Sequence, residues 1–179
     1  MRKRCYSLPM KSNEKISNIV LAGLFAALIF VMIAYLPRIP TARGFIHIGD
    51  SAIYLAASIL PQPFAAISAA FGGFLANALT GYMIWAPYTL VIKACLTIAF
   101  TSRGGTIMNG RNCLAAIVAF PITIGGYYLA EMFITGSTIV PLADVPANAV
   151  QAAGSMALYV LFAACMDKTG VKTRLAGNM

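Results

Sequence analysis

Apolar segments close to the length of a bilayer crossing constrain this chain more than any other feature. The clearest covers residues 16–36 and is ended by Pro37 and Pro40. A helix needs about 20 predominantly apolar residues to cross a hydrocarbon core. Five further helices are predicted over 50–60, 64–80, 87–100, 112–134 and 147–166. Only 10% of the residues are charged, with a mean hydropathy of +0.80, whereas a soluble domain carries roughly 25%. The sequence therefore predicts an all-α membrane protein built as a six-transmembrane-helix bundle. It forms a single membrane domain over 1–179, with a basic tail at 1–15, the bundle at 16–166 and a second tail at 167–179.

The formal charge of +8 reads as a topology signal and not as a nucleic-acid surface. Arg2, Lys3, Arg4, Lys11 and Lys15 precede the first helix, Arg103 and Arg111 lie between the fourth and fifth, and Lys168, Lys172 and Arg174 follow the last. Only Arg38 and Arg43 fall on the other side. Positive charge gathers on the cytoplasmic face, so both termini are expected inside and the long first loop outside. The opening Met1-Arg2-Lys3-Arg4 is shaped like the start of a signal peptide. The apolar run after it is long and no cleavage site leads into a soluble domain, so it is read as a retained helix. Four scattered cysteines lack metal-ligand spacing, and no metal or cofactor is expected. No nucleophile triad, zinc motif or phosphate loop occurs. The chain is not expected to be an enzyme, nor to hydrolyse ATP itself.

Polar groups inside apolar segments are costly, and they mark where function should be sought. Ala65, Ala69, Gly73 and Asn77 recur on one face of the third helix, and Trp85, Thr89, Lys93 and Thr97 on one face of the fourth. Tyr127, Tyr128 and Glu131 share a face of the fifth, and Asn148, Gln151, Ser155 and Tyr159 form a stripe on the sixth. Lys93 either contacts a ligand or pairs with Glu131. Asp50 either caps the second helix or joins the site, and His47 reads as a lid residue. Tyr82 and Trp85 fit an interfacial aromatic belt or a stacking wall. Asp50, Asn77, Trp85, Glu131, Asn148 and Gln151 fall toward the outer side of the membrane, so the simplest geometry is an outward-facing polar pocket floored by Lys93. Loop 37–49 is expected to cover it. Helix 50–60 is too short to span, at about 16 Å.

Taken together, the chain resembles the substrate-binding S components of energy-coupling factor (ECF) vitamin transporters. The local match is Gly44-Phe45-Ile46-His47-Ile48-Gly49-Asp50, then a Gly-rich third helix, then the Gly81-Tyr82-x-x-Trp85-Ala86-Pro87 turn. Ala22-x-x-x-Ala26, with the neighbouring pair Gly23 and Ala27, resembles the alanine motif by which such subunits dock onto a transmembrane coupling subunit. The resemblance implies a bacterial cell-membrane protein that captures a vitamin from outside. It would deliver the vitamin by toppling within a complex containing the coupling subunit and two ATPase subunits. The nearest members are those for pyridoxine-like or hydroxymethylpyrimidine-like compounds. Trp85, Tyr88 and Tyr127 would stack on such ligands, and Lys93, Asn148 and Gln151 would hydrogen-bond them. Riboflavin, cobalamin, folate, pantothenate and queuosine-type ligands remain open. A small intramembrane enzyme using Glu131 or His47 with Lys93, or a ligand-free structural subunit, are the readings from other classes.

Overall fold

The computed structural model describes residues 12–36, 38–41, 45–170 and 172. The basic positions Arg2, Lys3, Arg4 and Lys11, with Pro37, Arg43, Gly44 and Arg174, lie outside the described residues. The described chain forms six α-helices: α1 Ser12–Ala34, α2 Asp50–Ile59, α3 Gln62–Leu79, α4 Ala86–Thr97, α5 Gly110–Thr135 and α6 Val145–Thr169.

Local chemistry sets these boundaries. Proline lies in the first turn of α3, α4 and α6, where its missing N–H would have no helical partner anyway. The Asn109 side chain caps α5 by accepting from the Asn112 N–H. Gly136 and Gly170 close α5 and α6 with φ of 66° and 65°, the left-handed conformation that ends helices at low steric cost.

Three helices are long and apolar enough to cross a membrane: the Asn13–Ala34 portion of α1, together with α5 and α6. At 1.5 Å per residue, α2 and α4 reach only about 15 and 18 Å, because they have 10 and 12 residues. The outer faces are apolar, as lipid requires. Ile16, Val20, Leu24, Leu114, Ile117, Phe133, Leu161 and Phe162 are all exposed. In α2, by contrast, every residue is buried.

α3 lies between α1 and α4, while α5 packs on α4 and α6. Small residues permit the close approaches. A Cβ on Gly72 would stand 2.8 Å from the Ala26 carbonyl oxygen, so α1 and α3 meet backbone to backbone. The four residues of the docking expectation differ in burial. Ala22 is only 7% exposed and belongs to the packed core, and Ala26 faces Gly72 across the α1–α3 seam. Gly23 and Ala27 are exposed, and Gly23 has open space around it.

The strictly all-α expectation is amended in the first loop. Ile39–Pro40 pairs antiparallel with Phe45–Ile46, with Ile39 opposite Ile46 and Pro40 opposite Phe45. At the other end of the bundle, the Asp167 carboxylate accepts from the Ile107 and Met108 N–H groups at 2.7 and 2.8 Å. Asn112 ties Thr101 and Ile107 into the same knot. Between the two ends, Tyr54 stacks on Phe100 at 5.3 Å, and Tyr159 meets both rings edge-on.

Candidate ligand-binding site

Because α2 begins only at Asp50, the end of the bundle above it holds no helix in that position. The hairpin of loop 1–2 roofs the gap, and a chamber opens beneath it. Thr41, Phe45, Ile46 and His47 come from the loop, and Asn77 from the end of α3. Tyr82 and Trp85 come from the turn before α4, and Tyr127 and Glu131 from α5. Asp144, Ala147, Asn148 and Gln151 supply the last wall at the start of α6. The empty space is about 530 Å³, counting the part that opens to solvent.

Two aromatic pairs line the chamber: Trp85 with Tyr127, 6.3 Å apart, and Phe45 with Tyr82, edge-on at 4.9 Å. Arg38 lies over the Phe45 ring at 4.7 Å, fixing the hairpin from above.

Beneath the chamber is a buried charge pair. Lys93 donates to Asp50 Oδ1 at 2.6 Å, with both side chains at 0% exposure. Gln151 Nε2 donates to the second Asp50 oxygen at 3.3 Å, and the Lys93 ammonium lies 5.0 Å from the Tyr127 ring centre. Each charge is thereby compensated, as a dry interior demands. Gly73 makes room for this pair, since a Cβ there would come within 2.9 Å of Lys93 Cγ and 3.1 Å of Thr89 Cγ2.

His47 is 5% exposed. Its Nδ1 accepts from the Gly49 N–H at 3.2 Å, so the ring is neutral with its proton on Nε2. Burial lowers its pKa to about 4; Asp50 opposes that shift, while Lys93 and Arg38 add to it. Its own backbone N–H donates to Gln151 Oε1, which moors the loop to α6. Gly49 passes so close to the Ile33 side chain that a Cβ would collide with it.

Several expectations require correction. Lys93 pairs with Asp50 and not with Glu131, and it lies behind Tyr127 and does not form an exposed floor. Asp50 makes no capping bond, being the first residue of α2 after Gly49; its carboxylate is committed to Lys93 and Gln151. Tyr88 lines an apolar groove between α4 and α5 with Val91, Ile122 and Leu129. One residue along a helix is about 100° of rotation, and Thr89, not Tyr88, points inward at 1% exposure. For the same reason Tyr128 parts from Tyr127 and donates to the Thr138 carbonyl. Ser155 is fully buried below the chamber, its hydroxyl without a partner among the described residues. Tyr159 belongs to the inner aromatic core.

The remaining candidates do meet. His47, Asn77, Tyr82, Trp85, Tyr127, Glu131, Asn148 and Gln151 share the chamber wall. Asn77 also donates to Thr89 Oγ1 at 2.6 Å. Asp144 was not anticipated as a wall residue. Its signal is Asp144-Val145-Pro146, an acid just before a proline in a first helical turn, which places the start of α6 earlier than 147. Among the described residues no group of three His, Cys, Asp or Glu side chains could hold a metal ion.

Residues 13–168 match the family model described as ECF-type riboflavin transporter, S component. No curated protein matches the chain significantly.

Proposed function

Given that the chain belongs to the ECF-type riboflavin transporter S component family, we propose that its chamber captures a flat vitamin of the flavin kind from outside the cell. The family is one of substrate-binding membrane subunits for vitamin uptake that associate with an ECF module, and not of enzymes. The observation that carries the proposal for this chamber is its construction. Aromatic rings line it in two pairs, Trp85 with Tyr127 and Phe45 with Tyr82. Polar groups from α3, α5 and α6 share the same wall. Such walls suit a planar heteroaromatic ring, which stacks on aromatics while its edges exchange hydrogen bonds.

On this reading all six helices lie within the membrane, α2 and α4 reaching only part-way, and both termini are cytoplasmic. The chamber then opens outward under the hairpin as its lid. The exposed Gly23 and Ala27 offer the coupling subunit a smooth docking strip on α1, and two ATPase subunits supply the energy. The cell membrane is bacterial, and the whole chain acts as one membrane domain.

The family match favours riboflavin over the pyridoxine-like or hydroxymethylpyrimidine-like ligands anticipated from sequence. Mass spectrometry of small molecules carried through detergent purification tests this directly. A bound flavin supports the reading, a bound pyridine or pyrimidine moves the specificity within the same function, and a chemically altered product would point to an enzyme instead. If no small molecule co-purifies and none raises the melting temperature, the capture reading fails.

A further inference from the structure

We propose that Asp144 is the specificity-determining acceptor of the chamber, selecting ligands that present an N–H or O–H donor at the α6 end. The inference rests on the vitamin-capture reading and deepens it by naming the substrate chemistry.

Asp144 lines the chamber and is 9% exposed. Its backbone is satisfied: its N–H donates to Pro141 and its carbonyl accepts from Asn148. Its carboxylate makes no cap on α6 and takes no hydrogen bond among the described residues. The other acids with assigned roles are different. Asp50 is held by Lys93 and Gln151, and Asp167 by two backbone N–H groups. The carboxylate borders the chamber without a protein donor, and the empty space beside Asp144 is where one would arrive.

Two neighbouring amides are already committed elsewhere. The Nε2 amide of Gln151 is committed to Asp50, its Oε1 to the His47 N–H, and the Asn77 amide donates to Thr89. Ionised carboxylates only accept. A polyol hydroxyl or an ammonium on the ligand completes this end of the chamber, whereas a carboxylate or phosphate placed there meets like charge. Charge-assisted bonds of this kind are about twice as strong as neutral ones.

The test uses the full chain in detergent, with Trp85, the sole tryptophan, as an emission probe inside the chamber. Two ligand pairs differ mainly in their donors. Riboflavin carries a polyol that lumiflavin lacks, and pyridoxamine carries an ammonium where pyridoxal has a carbonyl. The wild type is expected to prefer the donor-bearing member of at least one pair by about tenfold or more. Asp144→Asn should collapse that ratio toward unity, and Asp144→Glu should retain most of it. A merely structural role for Asp144 would weaken both members of a pair alike. An unchanged ratio in Asp144→Asn overturns the inference while leaving vitamin capture standing, and so does a wild type that binds both members equally. If the wild type binds none of the four probes, the capture reading itself falls, and the role of Asp144 with it.

Discussion

Lys93 and Asp50 stand 43 positions apart in sequence and 2.6 Å apart in the fold, each entirely buried and each the other's charge partner. The pair ties the first residue of α2 to the middle of α4 directly under the candidate chamber. Removing one member strands the other. Lys93→Met and Asp50→Asn should each lower stability by about 3–5 kcal/mol, read as thermal unfolding in detergent. The double variant should recover a substantial part of that loss. Additive losses would show that the two charges act independently.

Acid should destabilise the protein through His47. Its buried imidazole has a pKa near 4, against about 6.5 when unfolded. Between those values the unfolded chain binds a proton that the folded one refuses. Stability is therefore intact above pH 6.5 and falls as the pH drops toward 4. Melting temperatures across that window should decline, and His47→Gln should flatten the decline. Asp50, Lys93 and Arg38 are the charged groups acting on this ring, so the Lys93 and Asp50 variants should also alter the slope.

The α1 face divides into a seam and a free strip. Gly72→Ala drives a methyl into the Ala26 carbonyl and should cost about 1–3 kcal/mol, the range for overpacking. Ala22→Leu should behave likewise. Gly23→Leu and Ala27→Leu should leave melting and ligand affinity unchanged but reduce ATP-driven uptake in cells carrying the coupling module. Normal uptake in both would remove this strip from the docking surface.

Asp167 should be a structural clamp remote from the ligand. Asp167→Ala leaves the Ile107 and Met108 N–H groups unpaired, a loss of about 2–3 kcal/mol for bonds to a charged acceptor. It should speed proteolysis near Arg103 while sparing affinity at the opposite end of the bundle. A weakened ligand affinity with intact melting would contradict that separation.

Much of this architecture is legible before any coordinates. Hydropathy and proline placement locate all six helices to within a few residues, because each apolar run is ended by Pro, Gly or a polar cluster. The stripe Thr89, Lys93, Thr97 points inward as helical spacing requires. What spacing cannot supply is partnership across helices. Glu131 is the acid expected beside Lys93, and the pairing with Asp50 depends on how deep α2 begins relative to α4. Neighbouring positions such as Tyr88 and Tyr128 leave the chamber because a helix turns about 100° per residue, a rotation that composition alone does not phase. Ala22 and Ala26 follow the small-xxx-small pattern, yet that pattern does not distinguish an internal seam from an external dock. The pairing of Ile39–Pro40 with Phe45–Ile46 is too short to announce itself, and Asp144 falls before the helix predicted over 147–166.

The complete enclosure of α2 carries a consequence for biogenesis. A ten-residue segment opening with an acid gives the insertion machinery little reason to release it sideways into lipid, since partitioning rewards length and apolarity. Its place is instead prepared by its neighbours, so it is expected to settle only once α1, α3, α4 and α6 have gathered around it. Maturation of the polar chamber above α2 should then be the closing event of synthesis, and truncated chains ending soon after Leu60 should leave this segment unseated.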